Sequence, residues 1–228
     1  LTNKYEIINQ GLSAERMADK WEFTREDLDS FAYESHQKAI LAQNEGRFER
    51  EVFPVTVTLQ DGTEVQVTKD EGPRSDTTLE KLATLKTPFK EDGKISAGNA
   101  SQISDGASAM LIMSREKAEQ LGLKPRFRIV ARSVVGSDPT LMLTGPVAAT
   151  EKVLQKAGLR IEEIDHFEVN EAFASVPLVW LKETGANPEK LNPNGGAIAI
   201  GHPLGASGTR VMTTMLYEME RTGARYGL

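Results

Sequence analysis

Gly195-Gly196-Ala197-Ile198-Ala199-Ile200-Gly201-His202-Pro203-Leu204-Gly205-Ala206-Ser207-Gly208 is the stretch that decides how the rest of this chain is read. The apolar run Ala197–Ile200 reads as a short strand that breaks on Gly201, and a helical pattern follows over Ala206–Arg221. His202 therefore falls on a strand-to-helix turn, where a ring can be held fixed while it faces a cleft. The helix it leads into brings unpaired backbone N–H groups and a positive dipole end close by. A structural turn histidine is the competing interpretation; the surrounding glycines and the strand-end position favour chemistry. The spacing is not G-x-G-x-x-G and no Gly-Lys-Ser/Thr follows, which argues against a dinucleotide or P-loop site.

A second strand end parallels the first. The apolar run Phe167–Val169, in a strand read as His166–Val169, leads into Asn170-Glu171-Ala172-Phe173-Ala174 and a helix over Ala172–Lys182. Ligands gather at the carboxyl ends of strands in α/β sheets, so Asn170 is expected to point toward a cleft. Its amide both donates and accepts, which suits a held water or carbonyl. Asn is also a preferred helix N-cap, and that alternative stays open. A third stretch, Ser96-Ala97-Gly98-Asn99-Ala100-Ser101 followed by Ser104-Asp105-Gly106-Ala107, has side chains small enough for a ligand to lie against the backbone. Taken alone it is a polar loop ahead of a strand. His36 reads as a solvated helix residue and His166 as a strand-start residue, neither with a role.

Around these motifs the chain changes texture. In the first 95 residues Thr24-Arg25-Glu26-Asp27 is a capping box for a helix running to about Asn44, with Phe31, Ile40 and Leu41 on its buried side. Asp61-Gly62 between Val55–Thr58 and Val65–Val67 signals a hairpin. Thr77-Thr78-Leu79-Glu80 opens a short helix that stops before Pro88. From Ala107 the pattern alternates: strands over Ala107–Ser114 and Phe127–Val135, helices over Arg115–Gly122 and Pro146–Ala157. Strands spaced by helices imply an α/β chain with a largely parallel or mixed sheet between helical layers.

Composition narrows the partners. The 228 residues are 39% hydrophobic and 26% charged, ordinary for a soluble globular protein. A net charge of −6 argues against general nucleic-acid binding. No apolar run approaches the roughly 20 residues a membrane span needs. With no cysteine there is no disulfide framework, and a cytoplasmic setting is the expectation. The chain opens on Leu1 and closes at Leu228 soon after a helix that would ordinarily lead to another strand, so a fragment is expected.

Taken together, Gly98-Asn99-Ala100-Ser101 with Asp105-Gly106-Ala107, Asn170-Glu171-Ala172-Phe173-Ala174 and the Gly195–Gly208 stretch closely resemble the thiolase family in order and spacing. Gln10-Gly11-Leu12-Ser13-Ala14-Glu15-Arg16-Met17-Ala18 and Ser35-His36-Gln37-Lys38-Ala39 match it too, so the resemblance covers essentially the whole chain. It implies a layered α/β/α fold with an inserted α+β loop domain. Residues 1–103 correspond to that coenzyme A-covering domain, 104–125 to the returning strand and helix of the N-terminal domain, and 126–228 to a C-terminal domain short of its last strands.

The resemblance also implies a chemistry: thiolysis of a 3-ketoacyl-CoA, or in reverse the Claisen condensation of two acyl-CoA molecules. The substrate is coenzyme A or acyl-CoA, with no separate cofactor and no metal. His202 matches the histidine that activates a nucleophilic cysteine and donates to an oxyanion hole. Asn170 matches the asparagine that positions a water there. Phe173 matches an acyl-pocket residue; Ser101, Ala97, Gly98 and Phe89 lie along the pantetheine arm, and Arg74 near the adenine and phosphate end. Both catalytic cysteines of the family are missing from this sequence, so the chain alone is expected to be inactive, a CoA-binding or assembly fragment of an enzyme that forms homodimers or homotetramers. Gln10 replaces a methionine common before the glycine at this point, which favours degradation of longer or bulkier 3-ketoacyl groups. Asn170 argues against sterol-carrier-type thiolases, and ketosynthases carry paired histidines in other motifs.

Overall fold

The computed structural model describes residues 4–228. Helix α1 (Gln10–Lys20) is capped by Asn9, whose side chain accepts from the Leu12 N–H. Helix α2 (Arg25–Asn44) begins at the expected capping box: Thr24 accepts from the Asp27 N–H and Asp27 accepts from the Thr24 N–H at 2.7 Å. Its buried face differs from the one expected. Leu28, Ala32, Ser35, His36, Ala39 and Ala42 are buried, whereas Leu41 is exposed and Phe31 and Ile40 are half-buried. The reason is close approach: Gly195 sits so near α2 that a Cβ there would lie 2.6 Å from the Ser35 carbonyl oxygen. Only small side chains fit under that loop. Gly195 is also at φ +76°, which glycine adopts without a Cβ penalty.

Strands β1 (Val55–Thr58) and β2 (Glu64–Val67) pair antiparallel, Val55 opposite Val67 and Thr58 opposite Glu64, and form the expected hairpin. The Asp61 carboxylate accepts from the Thr63 N–H within the turn. Helix α3 (Leu79–Ala83) is capped by Thr78 rather than Thr77. The remaining helices are α4 (Arg115–Gln120), α5 (Gly145–Ala157), α6 (Ser175–Thr184), α7 (Ala197–Ile200) and α8 (Ser207–Thr222). Pro146 stands in the first turn of α5 and left-handed Gly158 closes it, as expected.

The expected strands fare unevenly. Ala107–Ser114 and Phe127–Val135 carry no ladder with any described residue. A strand needs a partner for its alternate N–H and C=O groups, and among the described residues these two have none. Ser133 and Lys152 donate to the Ala149 and Val134 carbonyls, which ties the second segment along α5. The 165–169 segment keeps the parallel character foreseen, as isolated bridges from His166 to Gly227 and from Phe167 to Leu191. Ala197–Ile200, expected as a strand, is helical. Its Ile198 N–H is taken by the Glu171 carboxylate and the Gly196 N–H by Ser35, a capping arrangement that alternating Ala and Ile cannot announce.

Two apolar clusters hold these pieces. One joins α1, α2, α6 and α7 through Met17, Leu28, Val179 and Ile198. The other sets Phe167 edge-on to Trp180 at 5.1 Å, with Leu191 and Ile164 around them. Trp180 donates to the Thr150 hydroxyl at 2.8 Å, satisfying its only polar atom inside the core. This second cluster fixes the segment that delivers Asn170.

Candidate functional site

The 99–101 segment pairs antiparallel with 172–174. Ser101 N–H donates to the Ala172 carbonyl at 2.9 Å and Ala174 N–H to the Asn99 carbonyl at 2.8 Å. That pairing is why α6 starts at Ser175 rather than at Ala172, and it leaves Asn170 too far upstream to cap the helix; Ala174 is the N-cap, without a side-chain bond. The loop motif and the Asn170 motif are thereby side by side. Asn99 anchors the loop: buried, it donates to Asp29 and to the Lys94 carbonyl and accepts from the Ser96 N–H.

Gln102 then brings in the third motif. Its amide nitrogen lies 3.0 Å from the carbonyls of Gly72, Ile198 and Ala199, and its own carbonyl accepts from the His202 N–H at 3.1 Å. Gly201, at φ +89°, makes the turn that presents His202. The half-buried ring has Ser207 Oγ 2.6 Å from Nδ1 and Asn170 Nδ2 3.4 Å from Nε2. Ser207 donates its own hydrogen to the Pro203 carbonyl at 3.0 Å, so it accepts from His202. Nδ1 thus carries the proton and Nε2 presents a lone pair beside Asn170. Burial, aided by the charge of Arg210, pushes the His202 pKa below its ordinary value. A neutral imidazole with a fixed tautomer at neutral pH is equipped to accept a proton at Nε2. Asn170 Oδ1 is buried with no hydrogen-bond partner among the described residues.

Glu171, the next residue, points the other way and is structural. Its buried carboxylate accepts from Ser35 Oγ at 2.7 Å, Asn192 Nδ2 at 2.8 Å and Ile198 N–H at 3.2 Å. Burial raises its pKa against the opposing pull of those bonds. It locks the loop carrying α7, and hence His202, onto α2.

Phe89 and Phe173 meet edge to face, centroids 6.2 Å apart, with Gly11 pressed against the Phe89 ring. Ser101 is half-buried and Ala97 exposed. Gly98 packs on α3, where a Cβ would fall 2.5 Å from Leu82. Arg74 is exposed, and its N–H donates to the Nδ1 of His36 at 3.1 Å. His36 is therefore no solvated helix residue: it is buried, and burial pushes its pKa down. His166 is buried too, 3.3 Å from Glu168. Asn170, His202 and the 99–102 loop come together; the Arg74 side chain and Ala97 do not join them directly. Gln102 and Ser207 escaped the sequence reading, although Ser207 lies inside the quoted motif. Among the described residues no cluster of three or more His, Asp or Glu could hold a metal ion.

Comparison with known proteins supplies the remaining fact. The sequence matches the thiolase N-terminal domain over residues 1–116 and the thiolase C-terminal domain over residues 123–228. The chain belongs to the thiolase family. It is 47% identical over its whole length to an acetyl-CoA acetyltransferase of Chromobacterium violaceum, spanning 58% of that protein. It is 49% identical to a steroid 3-ketoacyl-CoA thiolase of Mycobacterium tuberculosis, over 97% of this chain and 53% of the relative. A peroxisomal 3-ketoacyl-CoA thiolase of Homo sapiens is 47% identical over 97% of the chain and 54% of the relative. Among solved structures, the acetyl-CoA acetyltransferase of Bacillus anthracis superposes with a TM-score of 0.93 at 42% identity, covering 96% of this chain and 56% of that one. The thiolase chain thus has the thiolase fold over a little more than half the length of these relatives. No helix among its described residues is long and apolar enough to cross a membrane.

Proposed function

We propose that this chain supplies the histidine–asparagine side of a thiolase-type acyltransferase site, acting on acyl-CoA thioesters. The observation that carries the reading is His202 Nε2, left unprotonated by the Nδ1–Ser207 bond and 3.4 Å from the Asn170 amide nitrogen, in a chain of this family. In thiolysis Nε2 takes the proton of a cysteine thiol and the thiolate adds to the 3-keto carbonyl carbon. The protonated Nε2–H then donates toward oxygen as negative charge develops on the thioester. Asn170, with an acceptor unclaimed by the chain, orients a water on the same oxygen. Breaking the carbon–carbon bond leaves an acetyl-CoA carbanion that a second thiol protonates, and coenzyme A releases the acyl group.

The 228 residues contain no cysteine, so they do not provide either thiol. For this chain by itself that favours a second reading, a CoA-binding or assembly segment. The domain division follows the same resemblance: 1–103 a loop domain over coenzyme A, 104–125 the return into the N-terminal domain, 126–228 the C-terminal domain. Phe89, Phe173, Ser101, Ala97, Gly98 and Arg74 are proposed to line acyl-CoA, and a cytoplasmic homo-oligomer is the proposed setting.

A thiolysis assay with acetoacetyl-CoA tests the reading. The chain alone should show no turnover and should bind coenzyme A by calorimetry. In the full-length enzyme containing these residues, His202→Asn should lower kcat by about 10²–10⁴-fold. Turnover by the chain alone, or an unaffected His202→Asn enzyme, would overturn it.

A further inference from the structure

Between Asn170 and His202 the chain carries a buried asparagine that the proposed chemistry does not use. Asn192 is 2% exposed and stands at φ +43°, a left-handed conformation that asparagine visits more readily than most residues with a Cβ. The segments leading to Asn170 and to Asn192 start out as a parallel pair. Phe167 N–H donates to the Lys190 carbonyl and Asn192 N–H to the Phe167 carbonyl, both at 2.9 Å, about the bridge from Phe167 to Leu191. Such a ladder repeats every second residue, so its next rung falls on Val169. Continued regularly, it would join the Val169 N–H to the Asn192 carbonyl and the Val169 carbonyl to the Asn194 N–H.

The main chain does not make that rung. Asn192 turns it aside, and the Asn192 carbonyl accepts from the Gly195 N–H at 3.0 Å, in the turn that leads on to α7 and His202. The Asn192 side chain fills the gap. Its Oδ1 accepts from the Val169 N–H at 2.9 Å and its Nδ2 donates to the Val169 carbonyl at 2.8 Å, one amide standing in for two peptide groups. The same Nδ2 donates its other hydrogen to Glu171 Oε1 at 2.8 Å. Asn192 thus bonds to the residues on both sides of Asn170 and to no atom of Asn170 itself.

Asn170 depends on that grip. Among the described residues its backbone makes no hydrogen bond, its Oδ1 has no partner, and its Nδ2 has only the 3.4 Å approach to His202 Nε2. Downstream, the main chain is next held at Ala172, whose carbonyl accepts from the Ser101 N–H. The direction of the Asn170 amide is therefore set by its neighbours, and one side chain holds both of them.

We propose that Asn192 is a positioning residue for Asn170: its side chain replaces a rung of the ladder, aiming the Asn170 amide at His202 while the main chain is released toward that histidine. The inference rests on Asn170 serving in the proposed acyl transfer, and one arm of its test needs no turnover. In the chain labelled with ¹⁵N-asparagine, the Asn170 side-chain NH₂ resonances, identified by their loss in Asn170→Ala, should shift as His202 titrates. His202→Asn should abolish that shift. Asn192→Ala should abolish most of it, which a loss of stability alone would not do.

In the full-length enzyme containing these residues, Asn192→Ala should lower kcat about 10–100-fold with KM within about twofold of wild type. Placed in an Asn170→Ala background it should cost about twofold or less, because the group it positions is gone. Asn170 resonances blind to His202 in the wild-type chain, or still following it fully in Asn192→Ala, would overturn the proposal. So would kcat losses that multiply in the double variant. If Asn192→Ala does not fold, the same two readouts decide on Asn192→Asp, which keeps the shape and the acceptor for the Val169 N–H but lacks the NH₂ donor. An enzyme indifferent to Asn170→Ala refutes the acyl-transfer reading instead, and the resonances then decide the positioning role by themselves.

Discussion

Replacing Glu171 by glutamine changes one atom and should cost the protein a substantial fraction of its stability. The carboxylate accepts three hydrogen bonds inside the core, one at Oε1 from Asn192 and two at Oε2 from Ser35 and Ile198. An amide has one acceptor oxygen and one NH₂ donor. With its oxygen toward Ser35 and Ile198, the NH₂ faces the Asn192 amide donor; turned over, it faces the Ile198 N–H. Either way one buried donor–donor conflict remains, which costs about 1–3 kcal/mol. Glu171→Ala removes all three acceptors and should cost about 3 kcal/mol or more, out of a total that is typically about 5–15 kcal/mol. For a chain of this size a 2 kcal/mol loss lowers Tm by about 4–8 °C. Thermal unfolding followed by circular dichroism measures that change, and amide exchange at Ile198 locates it. A Glu171→Gln protein melting within about 1 °C of wild type, with Ile198 equally protected, would refute the view that this residue is a structural lock rather than a substrate ligand.

Glu51 offers a test by pH. Burial raises its carboxyl to about 7 from an ordinary 4.5, so between those values the folded state binds more protons than the unfolded one. The stability this group contributes is present at low pH and lost as pH rises through about 7, on the order of 3 kcal/mol in all. Glu51→Gln, which cannot ionise, should therefore gain on wild type in urea unfolding from about pH 5 to pH 8. Equal pH slopes would exclude a buried Glu51. Gly11→Ala would drive a Cβ into the Phe89 ring; about 1–3 kcal/mol of destabilisation and loss of the Phe89–Phe173 edge-to-face contact are expected, read from unfolding curves and aromatic proton shifts. Gln102→Ala strips the shared donor from the carbonyls of Gly72, Ile198 and Ala199. It should destabilise by about 1–3 kcal/mol and shift the His202 imidazole resonances, and unchanged resonances would deny Gln102 its place in presenting the ring.

Much of this protein is legible in its sequence because some signals are local and stereochemical. The Thr24–Asp27 capping box, the Asp61-Gly62 turn and the Pro146 and Gly158 bounds of α5 act within a few residues, and the structure has each of them. The three motifs around Ser101, Asn170 and His202 are likewise contiguous strings, and their resemblance to the thiolase family is what pairs His202 with Asn170 from sequence. What it leaves out depends on partners far along the chain. Ala197–Ile200 is helical because the carboxylate of Glu171 and the hydroxyl of Ser35 take its first N–H groups. The buried face of α2 is its alanine, serine and histidine side because Gly195 lies against it, so size of the gap outranked hydrophobicity. His36 is buried where the Arg74 backbone N–H meets its ring. The segments 107–114 and 127–135 have strand-like sequences, but a strand is a relation between two backbones, and no described segment pairs with them. Local stereochemistry, then, was settled by the order of the residues; the tautomer of His202 and the lock at Glu171 exist only once distant polar atoms are brought within 3.5 Å and shut away from water.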